Sequence, residues 1–156
     1  MQPLTTVFDN LISAFENDSN SDGTGVGDQV NTVERFDGEA AVAIQEHKLR
    51  RSGEGASVLV GFNTETGALR SAAGRPIKTD LPVAVLVVVP SRPKQRSEAA
   101  RRLDKLQDAV EEVVRELRPN DVGVAALAWR SSRGLPGGKE WSGRAVMVDL
   151  QRNRRM

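Results

Sequence analysis

Apolar residues along this chain follow three patterns, and each predicts a different element. Leu4, Phe8, Leu11, Ile12 and Phe15 recur at steps of three and four, the spacing that gathers side chains into one stripe of a helix. Residues 4–17 are therefore expected as an amphipathic helix packed on a sheet. Ala99, Leu103, Leu106, Val110, Val113 and Leu117 repeat that spacing behind Pro93 and Ser97, with Arg101, Asp104, Lys105, Asp108 and Glu112 falling elsewhere. This predicts a long helix that Pro119-Asn120 ends. The second pattern is unbroken: Val83 to Val89, bracketed by Pro82 and Pro90, is apolar on both sides of the pleat and needs cover on both faces. The third alternates. From Arg144 to Gln151, Val146, Val148 and Leu150 point one way and Ala145, Met147 and Asp149 the other, as in an antiparallel strand.

The stretches between are less regular. Residues 29–36 and 57–62 read as short strands, 39–51 as helix or strand, and 122–130 as a strand entering the glycine-rich turn Gly134 to Gly138. Asn17 to Asp28 is dense in Gly, Ser, Asn and Asp, so 18–28 is expected as a mobile linker. Residues 63–80, with Gly67, Gly74 and Pro76 and few bulky side chains, are expected as an extended loop or arm, and 152–156 as a basic tail. The turn before the last strand is too short for a crossover helix. The expected fold is α+β: one domain over 1–156, a mostly antiparallel or mixed sheet with helices packed on one face.

Charge and composition narrow the function classes. Residues 1–39 carry eight acids against Arg35, about −7, which leaves about +8 for the remainder of a chain whose net charge is +1. The two ends thus differ in sign, which suits head-to-tail contact between copies as well as it suits a solvated surface. No apolar run approaches the roughly 20 residues of a membrane span. Met1 to Glu16 lacks a basic region and carries Asp9 and Glu16, so it does not read as a secretory signal, and cytoplasmic synthesis is expected. With no cysteine, disulfides, thiolate metal sites and a cysteine nucleophile are excluded.

The remaining chemistry is sparse. His47 is the only histidine and lies between Glu46 and Lys48, so it reads as a surface residue with no role. Asp108, Glu111 and Glu112 are matched at helical spacing by Arg101, Arg102, Lys105 and Arg115, which predicts surface ion pairs. Gly134 to Lys139 is no phosphate loop, because Arg133 and Glu140 occupy the positions that need glycine and a hydroxyl. Gly23 to Gly27 is no dinucleotide fingerprint, because Asp28 replaces the third glycine. No catalytic residue, cofactor or metal is expected. Arg92, Lys94, Arg96 and Arg102 form a candidate basic contact surface near the start of the long helix. Trp129 is read as closing the core, and Trp141, beside Lys139 and Glu140, as the interface candidate.

The order of these pieces resembles bacteriophage tail terminator proteins, in particular those of Mu-like contractile phages. The residues that carry the likeness are the N-terminal helix through Phe15, Val30 to Val33 with Gly38-Glu39, Ala56 to Phe62, Val83 to Val89 followed by Ser91-Arg92, and the helix from Ser97 to Leu117. The resemblance implies a subunit of a homohexameric ring in the virion, assembled in the host cytoplasm. Such a ring caps the tail tube, touches tube and sheath proteins, presents a surface to the neck or head connector, and lets DNA pass through its lumen. A head-completion protein is the alternative, and a small nucleic-acid-binding protein the alternative of a different class. On this reading Thr64, Glu65, Leu69, Arg70, Arg75, Ile77, Lys139 and Trp141 make subunit or tube contacts. Deleting 66–75 without changing ring formation or tail length contradicts it.

Overall fold

The computed structural model describes residues 3–50, 55–62, 80–91, 94, 96–135 and 140–151. Of the arm expected over 63–80 all but Asp80, which begins a strand, lies outside the described residues, as do the basic tail at 152–156 and residues 136–139.

The chain opens with α1 (Leu4–Glu16), α2 (Val26–Gln29), β1 (Thr32–Arg35), α3 (Ala40–Arg50) and β2 (Ser57–Phe62). It continues with β3 (Asp80–Pro90), α4 (Arg96–Glu116), α5 (Pro119–Val122), β4 (Ala126–Gly134) and β5 (Trp141–Gln151). The strands form one mixed sheet in the order β1-β2-β3-β5-β4, with β1 parallel to β2 and every other pair antiparallel. This is the α+β domain that the patterns predict.

β3 is the hub, flanked by β2 and β5, and its side chains alternate between two cores. Val83, Val85, Val87 and Val89 join Phe8, Leu11 and Phe15 of α1 and Leu103, Leu106 and Val110 of α4. Ala84, Leu86 and Val88 join Ala43 and Ile44 of α3, with Trp141, Ala145 and Met147. The apolar run is thus covered on both faces, and each of its Val and Leu side chains contributes roughly 1.5–3 kcal/mol by leaving water. Two close approaches depend on glycine. A Cβ on Gly61 would meet the Phe36 carbonyl oxygen at 2.5 Å, and one on Gly143 would meet the Trp141 ring at 3.1 Å.

The helices, expected on one face, lie on both, because parallel β1 and β2 need a crossover between them. The stretch 39–51 supplies it as α3, on the side of the sheet opposite α1 and α4. The strand expected over 122–130 starts later. Pro119 begins one helical turn instead, closed at Gly123 with φ 86, a left-handed conformation that glycine adopts without strain. β4 then runs from Ala126 to Gly134.

The expected linker is a hydrogen-bonded loop. Asp28 accepts from the Ser19 hydroxyl at 2.6 Å and from the backbone N–H groups of Asn20 and Gly25 at 2.9 and 3.2 Å. These bonds, the Ser19 hydroxyl foremost, hold the Asp28 carboxyl below its ordinary value of 3.8. Asp18 accepts from the Val26 N–H at 2.8 Å, so the acids that suggested an open segment tie it down.

Candidate functional site

Two places gather polar chemistry, and sequence reasoning anticipated neither. The first lies between α3 and the sheet. Thr32 and Ser57 are register partners on parallel strands, Glu34 is two residues further along β1, and α3 lays His47 over them. The His47 Nδ1 is 3.2 Å from a Glu34 carboxylate oxygen, its Nε2 is 2.9 Å from the Ser57 Oγ, and the Thr32 hydroxyl donates to that same Oγ at 3.1 Å. Every group finds a partner if the imidazole is neutral, donating from Nδ1 to Glu34 and accepting at Nε2 from Ser57. His47 is therefore no surface residue. It is only 8% exposed, because the crossover turns this side of α3 onto the sheet.

Carboxylate, imidazole and hydroxyl in this order are the parts of a nucleophile triad. Access decides against that use in this conformation. Ser57 is 6% exposed beneath α3, and an acyl group needs to reach within about 3–3.5 Å of the attacking oxygen. The chain of bonds instead satisfies polar groups that the βαβ crossover buries.

The second place is the free margin of the sheet at β4. Nearly every residue of this strand is exposed or half-exposed, and a register shift between Trp129 and Ser131 leaves Arg130 unopposed in the ladder. Trp129 is 40% exposed. Its ring is nonetheless held in place. The indole N–H donates to the Ser132 Oγ at 3.0 Å, that hydroxyl donates to Glu111 at 2.7 Å, and the Arg115 guanidinium lies 5.6 Å from the ring centroid. Gln107 also donates to Glu111, at 3.3 Å. Glu111, expected in a surface ion pair, is turned inward and is 8% exposed.

The two tryptophans thus exchange their expected places. Trp141, the interface candidate, is 8% exposed within the core beneath α3, whereas Trp129, expected to close the core, faces solvent. Alternation explains Trp141, which shares strand parity with Ala145 and Met147 and so points with them into that core. Position at the margin explains Trp129.

Of the other expected contact residues, Thr64, Glu65, Leu69, Arg70, Arg75, Ile77, Lys139 and Arg92 lie outside the described residues. Lys94, Arg96 and Arg102 are exposed. Arg96 and Arg102 are six positions apart on α4, about 120° around the helix, so they do not form one stripe. Arg102 turns instead to a concavity of about 190 Å³ that it lines with Gln29, Lys105 and Leu106.

A groove of about 360 Å³ runs beside β1, at the opposite margin of the sheet, lined by Glu16, Gly27, Val30, Asn31, Thr32, Val33 and Glu34. Among the described residues, no group of three or more His, Asp or Glu side chains is placed to hold a metal ion, and no helix is long and apolar enough to cross a membrane. Fold and margins together define a small α+β domain whose mixed sheet runs from β1 at one margin to β4 at the other. Compared with known families and with curated proteins, the chain matches no family model and no curated relative.

Proposed function

We propose that this chain is a non-catalytic assembly subunit of a phage tail, a ring-forming terminator that caps the tail tube and joins it to the neck. The observation that carries the reading is Trp129, a large apolar ring fixed by a hydrogen bond to Ser132 and the Arg115 guanidinium yet 40% exposed on a margin strand. A monomeric protein has little reason to immobilise an indole in water, whereas an interface uses such rings as anchors. The separation of charge along the chain supports the same reading, because a head-to-tail contact between unlike surfaces closes into a ring when its rotation allows. So does the order of elements that resembles the terminator family. In this role no residue performs covalent chemistry, DNA passes through the lumen, and the product is a virion component.

The test is light scattering on the purified chain with and without tail tubes, followed by electron microscopy of the mixture. A ring at tube ends that halts further polymerisation is expected. Rings that join head connectors and ignore tubes would indicate the head-completion role. A chain that stays monomeric beside tubes and binds DNA with a steep salt dependence would replace the assembly reading with the nucleic-acid-binding one.

A further inference from the structure

The two margins of the sheet match each other in direction and facing. β1 runs parallel to β2, and the antiparallel steps from β2 through β3 and β5 to β4 leave β4 running opposite to β1. A second copy placed beside the first, with the same face outward, therefore brings β4 against β1 as an antiparallel pair, the commoner and better-aligned ladder. The faces also agree. Trp129 is the register partner of Val148, which belongs to the core beneath α1 and α4, so the indole lies on that side of the sheet. The groove beside β1 is bounded by Glu16 of α1 and Gly27 of α2, on the same side.

Glu16 lines the groove on the α1 side, and Arg35 of β1 is turned onto the Phe8 ring, while β4 carries Arg130 and Arg133 with no acid, Arg130 lying 3.7 Å from Asp149, and Arg115 stacks on the indole. The strand margins are open: among the described residues, no strand pairs beyond β1 or beyond β4. An open margin pairs readily with another chain.

We propose that Trp129 of one copy docks in the groove beside β1 of the next, with β4 extending the neighbour's sheet across the subunit boundary. This rests on the reading of the chain as a ring subunit and names the surfaces that close the ring. The contact is heterologous: each copy gives its β4 margin and receives at its β1 margin. Indole and groove supply the buried centre, already rigid before docking, and the Arg and Glu side chains supply orientation and salt sensitivity.

The heterologous geometry allows a mixing experiment with Trp129→Ala and Glu16→Arg. Both positions are exposed, so each variant is expected to melt within a few degrees of the wild type, which a thermal scan checks first. Alone, each is expected to associate at least roughly 30-fold more weakly than the wild type and to run as a monomer where the wild type is a ring. Mixed in equal amounts, they are expected to give one species of twice the 16.9 kDa subunit mass, because Trp129 of the Glu16→Arg copy still meets an intact groove on the other. Rings formed by either folded variant alone, or no heterodimer on mixing, overturn this docking and leave the ring reading standing. A wild-type chain that is monomeric with and without tail tubes overturns both.

Discussion

Trp141 and Trp129 lie on adjacent strands and opposite faces of the sheet, and they meet opposite fates. Trp141 stands between polar neighbours in sequence, Glu140 and Ser142, yet strand parity drives it into the core with Leu86, Ala145 and Met147. Trp129 follows an apolar run, Ala126 to Ala128, yet among the described residues its strand has no partner on one side, and its ring stays half in water. The difference teaches that burial here follows from position in the sheet, and the identity of sequence neighbours says little about it. It also separates the two indoles, one packed in the core and the other held at the surface of the sheet margin.

The comparison breaks most sharply in stability. Trp141→Ala is expected to lower unfolding free energy by about 3–5 kcal/mol in urea titration, since it empties a ring-sized space beneath α3. Equal stability of this variant and the wild type would contradict the division of roles. Second in size is His47→Ala, which leaves Ser57 and Glu34 without their shared partner and should cost about 1–3 kcal/mol. His47 is the polar counterpart of Trp141 on the same face, so its loss also tests whether α3 is held by more than apolar contact. Amide exchange over residues 40–47 should quicken in this variant before exchange in α4 does.

Trp129→Ala should cost under about 1 kcal/mol in the isolated chain, because it removes a surface ring and one hydrogen bond to Ser132. A cost as large as that of Trp141→Ala would show that the exposed ring is structural after all. The smallest effect concerns the loop before β1. The Asp28 carboxyl is depressed in the folded state, so its contribution is present above the ordinary value of 3.8 and is lost as pH falls through the lower folded value. Backbone resonances of Asn20 and Gly25 should therefore titrate with a midpoint below 3.8, and Asp28→Asn should abolish that titration.

Much of the fold was legible because strong periodicity survives any context. α1 and α4 follow from their stripes, β3 from its unbroken valines, and β5 from alternation. The residues that escaped were those whose surroundings are set by long-range pairing. His47 reads as surface until parallel strands oblige α3 to lie on the sheet, and its partners sit 13 and 10 positions away. Glu111 reads as a helix-surface acid until Ser132, 21 positions later, meets it. The 18–28 segment misleads for the opposite reason, because the residues that favour loops also cap them when Asp28 reaches back to Ser19 and Asn20.

The central position of β3 also sets a timetable for synthesis. β1, α3 and β2 are made before it, but its other neighbour, β5, ends 61 residues after Pro90. At a translation rate of about 5–20 residues per second, one side of a valine-rich strand stays unpaired for roughly 3–12 s while the ribosome completes the chain. α1 and α3, already made, and α4, made in that interval, can cover its faces, but none of them pairs with its open edge. The nascent chain is thus most exposed to misassociation between the completion of α4 and the arrival of β5, a window that a chaperone acting on the ribosome would need to cover.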